Sequence, residues 1–554
     1  MSKSPPSLDQ PFTAFSFLWA VSGLFNLLAR MGLTDPISFR FEMLSVAAAV
    51  GLLIKPSSLN RLCLFAAIYA ATSWSKMPNM NNHAVLIFFF NLTFIITFLS
   101  RLTRNVVNKW GVAPAPTQVS TRKRARPRWL SPFLDKLSQV QVSRSDFFQT
   151  MAPSMRLSIL ILYFWATIHK LNEGFLMPEL SCAVMQFQAL RQAKILGVPM
   201  DFLPTGPTIY VLSIYGTLAV EMAIPVLLCF GKTRIAGVLM ALIFHCILGY
   251  QYSDFSSLLY VLFSLFLPLS FWENLDHWWQ TTRLRPSWVA RFRRPWQLTR
   301  FSLGISLAAW VVMLLVFLPW EQMVLGFQMN QIWKSKAQGM IHLWFVYAFL
   351  LILVFMRILF VNQRKQVQSH GGSLRPPLIT AVVPILIFFN GLCPHLGLKT
   401  TLSFAMFSNL RTEEGQTNHL FIPASWQIWS YHQDLVTIHY SSDALLRSYA
   451  VPTWRTLSDR GFPNIATFIL KSHDLIQSRP RPSWKLPYIG LRLRVSHLAK
   501  TGKKNVRLNY ERNGQIVRLE KAESDPELSA TPYWMRKFIR VRFVPNIEAG
   551  CCMW

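Results

Sequence analysis

Charged residues are scarce in this sequence. Only 15% of the 554 residues are charged, whereas 52% are hydrophobic. A soluble domain usually carries about a quarter charged residues, so the deficit argues against a soluble protein. Phe and Trp, with 42 and 20 copies, are instead abundant, as is typical of helix bundles and membrane interfaces. The composition therefore points to a lipid bilayer.

Acidic residues are the scarcest charged type: 25 Asp and Glu stand against 56 Lys and Arg, which gives a net charge of +31. A protein with such a positive charge could bind nucleic acid, but the sequence contains no nucleic-acid recognition module. The basic residues gather in short stretches between apolar runs, such as Arg-Lys-Arg-Ala-Arg-Pro-Arg at 122–128. The positive-inside rule produces this placement. We therefore expect no nucleic-acid partner.

Paired cysteine motifs are also missing. None of the seven cysteines stands in a C-x-x-C or paired Cys/His pattern, so we expect no metal site. The spacing of the cysteines does not by itself establish a disulfide, and the state of Cys551 and Cys552 stays open. The N-terminal Met-Ser-Lys-Ser-Pro-Pro-Ser lacks the features of a cleaved signal peptide, so the first apolar run is expected to stay as a helix. Four cysteines lie in or beside apolar runs and are interpreted as small buried hydrophobes: Cys63, Cys229, Cys246 and Cys393.

Eleven apolar runs approach the roughly 20 residues that a membrane-crossing helix needs. We therefore predict a polytopic α-helical membrane protein with about eleven transmembrane helices, give or take two. Three of the runs (38–54, 59–75 and 376–393) are short and could be interfacial or re-entrant. The runs are 12–30, 38–54, 59–75, 83–100, 155–171, 207–230, 235–251, 255–272, 301–320, 340–361 and 376–393.

Loop charge predicts the orientation. The segments 101–128, 282–300 and 362–375 and the turn Gly231–Arg234 are all basic. With eleven helices and a cytoplasmic N-terminus, all four fall on the cytoplasmic side, as the positive-inside rule requires. The loop 172–206 and everything after about residue 394 are then extracytoplasmic.

The C-terminal part is expected to be a smaller α+β domain. Ile489–Val495 and Val506–Tyr510 alternate with period two, which predicts strands. Gln515–Leu519 follows Asn513-Gly514, and an Asn-Gly between alternating runs is a strong hairpin signal.

Ionisable residues inside apolar runs are the candidate functional residues, because each costs about 2.5–3.5 kcal/mol on insertion scales. A lysine partly withdrawn from water can act as a general base, and an imidazole can position a substrate hydroxyl. The amides of Asn81 and Asn82 could hydrogen-bond a carbonyl or quinone oxygen. The candidates are His83, His169, Lys170, Glu221 and His245.

Plainer interpretations of these residues stay open. Lys170 ends a helix, where a lysine often extends to the interface. A single His within a helix, such as His245, is more often a packing residue than a catalyst. Glu221 could pair with a basic residue and hold two helices together.

Four stretches resemble the vitamin K-dependent γ-glutamyl carboxylase family and the broader bacterial family of horizontally transferred transmembrane (HTTM) proteins. Their order and spacing agree with the family over about residues 10–275, and residues from 391 onward are more similar to bacterial members. Together with the apolar runs and the loop charge, the resemblance predicts an HTTM-like domain at 1–275, additional transmembrane helices at 276–393 and the extracytoplasmic domain at 394–554. The stretches are Asn81-Asn82-His83, Tyr163–Asn172, Glu221–Arg234, and Phe244-His245-Cys246 with Leu258–Val261.

The resemblance implies γ-carboxylation, a lyase-type reaction. Lys170 would be the base that deprotonates reduced vitamin K or another naphthoquinol, with O2 and CO2 as co-substrates and no metal. His83 and His245 would join Lys170 as catalytic residues, and Asn82, His83, His169 and Glu221 would bind the cofactor. A peptide or protein would be the substrate, and a bacterial inner (cell) membrane the location.

One position departs from the family: His169 stands where the carboxylase has a second lysine. Two other functions therefore stay open beside the enzyme. Glu221 and His245 could line a path in a transport or binding protein. The chain could also be a non-catalytic membrane scaffold.

Overall fold

The computed structural model describes most of the chain. The described ranges are 9–28, 36–78, 80–110, 142–195, 197–281, 329–360, 372–450, 484–542 and 544–545. The predicted apolar run at 301–320 lies outside them. Ten of the eleven predicted runs fall on helices.

Helices dominate the described part of residues 9–392. Those described are α1 (Asp9–Leu28), α2 (Pro36–Ile54), α3 (Leu59–Lys76), α4 (Asn82–Trp110), α5 (Arg144–Ile168), α6 (Glu173–Leu176), α7 (Cys182–Arg191), α8 (Pro207–Cys229), α9 (Arg234–Ser264), α10 (Leu269–Thr281), α11 (Met329–Phe360) and α12 (Leu378–Leu392).

Five helical segments of the described chain are long and apolar enough to cross a membrane: Asp9–Leu28, Asn82–Val107, Arg144–Ile168, Pro207–Cys229 and His342–Phe360. A sixth span results if Tyr252–Ser264 and Leu269–Trp278, bent by 102°, count as one. These criteria yield fewer spans than the eleven predicted. α12, for example, has 15 residues, which reach only about 22 Å of the roughly 30 Å hydrocarbon layer.

The bundle core is rich in aromatic rings. Trp19 of α1 packs edge-on against Phe94 of α4, with ring centroids 5.1 Å apart. Phe12 of α1 meets Phe147 of α5 in the same manner at 6.2 Å. Edge-to-face pairs of this kind contribute about 0.5–1.5 kcal/mol beyond the area they bury. They join α1, α4 and α5 into one core.

Helix α9 is broken at Tyr252, whose φ of −134° and ψ of 53° are not helical. Just before the break, Gly249 lies against the indole of Trp344 from α11. A Cβ at Gly249 would come within 1.8 Å of the Trp344 Nε1 atom, so no larger residue fits there without movement. The break redirects the chain and brings Asp254 and Phe255 into the bundle.

The C-terminal part contains a five-stranded antiparallel sheet in the order β6-β5-β3-β4-β7. A separate small hairpin, β1 with β2, precedes α8. The strands are β1 (Lys194–Ile195), β2 (Val198–Pro199), β3 (Leu435–Ser441), β4 (Trp484–Pro487), β5 (Leu508–Arg512), β6 (Gln515–Leu519) and β7 (Val544–Pro545). The helices are α13 (Ala444–Ala450), α14 (Tyr488–Lys500), α15 (Pro526–Ser529) and α16 (Tyr533–Phe538).

The predicted Asn-Gly hairpin is confirmed. β5 and β6 pair directly, and the turn residues Asn513 and Gly514 have positive φ values of 52° and 75°. A tight hairpin turn needs positive φ at both central residues, and Asn followed by Gly supplies it at low cost.

The predicted strand at Ile489–Val495 is wrong, because this stretch lies in the helix α14. Leu491, Val495 and Leu498 are all buried, at positions i, i+4 and i+7. That spacing lines one face of a helix. The polar residues between them, read over a short window, mimic the alternation of a strand.

The segment between α12 and β3 packs against the helices. The Leu420 N–H donates to the Leu171 carbonyl at 3.0 Å, and the Glu173 N–H donates to the Asn418 carbonyl at 3.1 Å. The loop 172–206 and the chain after residue 394, which sequence placed on one side of the membrane, are thus in contact.

Candidate functional site

Lys170 and Glu221 form an ion pair between α5 and α8. The Lys170 Nζ atom lies 2.8 Å from Glu221 Oε2 and donates to Oε1 at 3.1 Å. The two side chains are only 6% and 11% exposed. Nζ also donates to the Ala166 carbonyl one turn earlier, at 3.2 Å. Lys170 therefore points into the protein and not outward to the interface.

Asn172 fixes the chain around Lys170. Its side-chain oxygen accepts from the Phe175 N–H at 2.9 Å and so caps α6. Its amide nitrogen donates to the His169 carbonyl at 2.7 Å and to the Ser408 carbonyl. The ring of Phe175 lies 5.9 Å from the Lys170 ammonium. Through Asn172, the C-terminal end of α5 is thus attached both to α6 and to the segment that contains Ser408.

Tyr163 and His245 form a second buried contact, between α5 and α9. The Tyr163 hydroxyl is 2.6 Å from His245 Nε2, a short hydrogen bond. His245 Nδ1 is buried and has no hydrogen-bond partner among the described residues. Tyr163 also lies close enough to Glu221 to interact with its charge. The Tyr163–His245 contact therefore adjoins the Lys170–Glu221 pair.

His83 pairs with Asp254, and a phenylalanine connects them to His245. The His83 Nε2 atom is 3.0 Å from Asp254 Oδ2. The ring of Phe255 lies 6.2 Å from the His83 ring and 5.8 Å from the His245 ring. The structure thus brings His83, Lys170, Glu221 and His245 into one region. We call these four, with Tyr163, Asp254 and Phe255, the buried polar cluster.

Asn82 and His169 have other partners. The Asn82 side-chain oxygen accepts from the Phe404 N–H at 2.9 Å, which attaches the post-α12 segment to the start of α4. His169 Nε2 lies 3.0 Å from the Gly391 carbonyl of α12. Both contacts hold elements together, and neither side chain joins the buried polar cluster through these bonds.

His169 belongs to a row of aromatic rings. It stacks on Trp165 with centroids 5.2 Å apart and lies 5.2 Å from His395, which is 5.1 Å from His419. Burial, followed by the charges of His169 and His419, lowers the pKa of His395 to about 2. His395 is therefore neutral near pH 7, and the row acts as packing between α5 and the segment that follows α12.

Sequence reasoning missed Tyr163, Asp254 and Phe255. Tyr163 stood inside a quoted motif without a role. Asp254 is a lone acidic residue in the Gln-Tyr-Ser-Asp-Phe connection between two apolar runs. Its position between apolar runs was a usable signal, because an acidic residue there needs a partner.

The donor set of the cluster suits an organic ligand with polar oxygens. A buried imidazole nitrogen without a partner, His245 Nδ1, can accept from a hydroxyl or donate to a carbonyl, depending on its tautomer. Phe255 and Phe263, with ring centroids 5.8 Å and 5.9 Å from His245, provide apolar faces for a planar ring. Within the described ranges, no three His, Cys, Asp or Glu residues are grouped as metal ligands would be.

Comparison with protein-family models, with curated proteins and with solved structures finds no match for this chain. The resemblance to the carboxylase and HTTM families consequently rests on the quoted motifs alone.

Proposed function

We propose that this chain is an integral membrane enzyme whose buried polar cluster removes a proton from a lipid-soluble hydroxyl compound of the naphthoquinol class. The observation that supports it best is the Lys170–Glu221 pair, which is held away from water among apolar helices. Ionisable groups are costly in such a place and persist mainly where function needs them.

The base in this proposal is the pair and not Lys170 alone. Between them the amine and the carboxylate hold one shared proton, and they can accept a second. The two side chains are only 6% and 11% exposed, so little water screens their interaction with the proton of a bound hydroxyl compound.

The remaining residues of the buried polar cluster would bind the substrate oxygens and relay a proton. His245, through its unpartnered Nδ1, would hold a substrate oxygen, and the Tyr163 hydroxyl would pass a proton between His245 and the region of Glu221. His83, with Asp254, would orient a second oxygen on the far side of Phe255. The aromatic rings would exclude water.

The resemblance supplies the rest of the reaction. The chemistry that a bound naphthoquinol and O2 would supply is a base strong enough to remove a proton from a carbon beside a carboxylate of the substrate. CO2 would then add to that carbon. The residues of this chain would set the first proton transfer. Asn82 and His169, which both hold backbone carbonyls or N–H groups, would act by positioning the helices.

We further propose that the C-terminal domain lies outside the cytoplasm, in a bacterial cell membrane. Cys182 in the loop 172–206 is disulfide-bonded, and disulfides persist in oxidising compartments. The same loop contacts the segment 402–420 through the Asn409 amide, which donates to the Leu180 carbonyl at 2.7 Å. In this proposal both segments lie on one side of the membrane, opposite to the basic loops.

Consumption of a reduced naphthoquinone tests the enzyme proposal. The purified full-length chain in detergent, under oxygen, should consume the quinol. Lys170→Met and Glu221→Gln should each reduce the rate by about 10²–10⁴-fold, the range typical of a lost general base.

The matched control is Lys537→Met. Lys537 also lies near a helix end, but its ammonium donates to backbone carbonyls, including that of Trp74 at 3.0 Å. This variant should keep the native rate. A folded native protein that consumes none of several naphthoquinols, or a Lys170→Met variant as active as the native chain, would contradict the proposal.

Transport of a proton or small solute is the second candidate, and the break at Tyr252 favours it. Interrupted helices often form the binding sites of transporters. Reconstituted vesicles with an internal pH-sensitive dye would then show a flux that Glu221→Gln abolishes. Quinol consumption without flux would favour the enzyme, and flux without consumption would favour the transporter.

A further inference from the structure

Two buried arginines meet away from the buried polar cluster. Arg156 lies in α5 and Arg234 begins α9, and they are 6% and 5% exposed. The proposed enzyme or transport function makes no use of either side chain.

Within the described residues, Arg156 donates to backbone carbonyls alone. Its Nε atom donates to Leu265, just beyond the end of α9, at 2.8 Å, and its Nη1 atom donates to Ser373 at 3.0 Å. The backbone approaches very closely here: a Cβ on Gly372 would come within 2.4 Å of Arg156 Nη1. Only a glycine leaves room for this guanidinium without movement.

Arg234 has the same kind of partners. Its Nε atom donates to Leu228, in the last turn of α8, at 2.9 Å, and its Nη1 atom donates to Gly372 at 2.9 Å. The ring of Phe266 lies 5.9 Å from the guanidinium carbon. Both guanidinium groups thus converge on the segment 372–373, and each also donates to a carbonyl at or just beyond the C-terminal end of a different helix.

The two positive charges are not balanced by an acid in the part of the chain that the structure describes. No carboxylate there pairs with either guanidinium, and the charge of Arg234 acts unfavourably on Arg156. Helix C-termini carry only about half a negative charge each, so they offset the two cations in part. A buried charge without a full counter-charge is costly.

Donors remain for an incoming anion. Neither Nη2 atom donates to a described residue, since the bonds above use only Nε and Nη1. Gly372 and Ser373 are exposed, so the arginines lie just beneath the surface. Two exposed basic residues lie nearby in the sequence: Lys232 is two residues before Arg234, and Arg375 is two residues after Ser373. Their positive potential attracts anions.

We propose that Arg156 and Arg234 together bind an oxyanion of the phosphate class. Planar guanidinium groups whose Nη2 donors have no partner among the described residues match the tetrahedral oxygens of a phosphate. The phosphate is either that of an anionic phospholipid headgroup or a free phosphate group. This site is independent of the buried polar cluster, so it stands or falls separately from the proposed enzyme.

The test measures stabilisation of the full-length chain in an uncharged detergent. The unfolding midpoint, followed by tryptophan fluorescence, is titrated with phosphatidylglycerol against phosphatidylcholine, and with inorganic phosphate against chloride at equal ionic strength. Native protein should be stabilised by phosphatidylglycerol, by inorganic phosphate or by both. The first response identifies a lipid source, and the second identifies a free anion.

Arg234→Gln should weaken the apparent affinity about tenfold, because it removes a charge-assisted donor set. Arg61→Gln is the matched control, since Arg61 also donates to a carbonyl near a helix end, that of Gly51 at 2.7 Å. It should bind as the native chain does. Equal responses to both lipids and both anions in the native protein, or full affinity in Arg234→Gln, would overturn the proposal.

A folding defect would not prevent the test. If Arg234→Gln aggregates on size exclusion, Arg234→Lys keeps the positive charge but loses the planar set of donors. This variant should fold and bind several-fold more weakly than the native chain. Native affinity in Arg234→Lys would then show that the guanidinium geometry is not used, which contradicts the site as proposed.

Discussion

The Lys170–Glu221 pair should show strong energetic coupling, which a double-mutant cycle measures. The perturbations are Lys170→Met, Glu221→Met and the double variant. Removing one partner leaves the other charge buried, which costs about 3–5 kcal/mol. Replacing both partners with apolar side chains of similar size is often close to neutral. The double variant should therefore be more stable than either single variant.

The magnitude follows from burial and not from distance. Lys485 and Glu414 are also 2.8 Å apart, but their side chains are 36% and 29% exposed. Water screens that pair, so its contribution should stay below about 1 kcal/mol. The buried pair, with 6% and 11% exposure, should show a coupling of about 3 kcal/mol or more.

The assay is denaturant unfolding of the full chain in detergent, followed by tryptophan fluorescence. Each cycle needs the native chain, two single variants and the double variant, with Lys485→Met and Glu414→Met as the control cycle. Simple additivity at Lys170 and Glu221, within about 0.5 kcal/mol, would refute the reasoning. The ion pair would then not be a feature of the protein in solution.

Two further predictions concern pH outside the spanning helices. Lys399 is buried, its ammonium donates to the Asn390 side chain, and burial lowers the pKa of Lys399 below 10.5. The unfolded chain then binds the proton more tightly, so stability should rise between the lowered folded pKa and 10.5, and Lys399→Met should remove this rise in the unfolding midpoint. Burial also lowers the pKa of His432 from 6.5 to about 4, despite the nearby Glu413 carboxylate. Stability should therefore fall by up to about 3 kcal/mol as pH drops through that window, and His432→Phe should flatten this part of the unfolding curve.

Short sequence patterns predicted those elements whose structure depends only on neighbouring residues in the chain. Apolar runs predicted helices, because a helix satisfies its own backbone groups within the segment. The turn at Asn513-Gly514 predicted its hairpin, because two adjacent residues set the backbone geometry. The strand prediction for Ile489–Val495 was wrong because seven residues show an apparent alternation of polar and apolar side chains. The helical spacing of the buried face of α14 becomes visible only when the sequence is followed as far as Leu498.

The sequence by itself determined the mostly helical architecture with its long apolar helices, the hairpin and the candidates His83, Lys170, Glu221 and His245. Only the tertiary structure decided their partners. Lys170 and Glu221 are 51 residues apart, and nothing in either local stretch specifies that their helices pack together. The pairing of Asp254 with His83 likewise depends on the break in α9 and on how closely Asp254 approaches α4. Pairings between helices follow from how whole faces pack, which is why no single motif contains them.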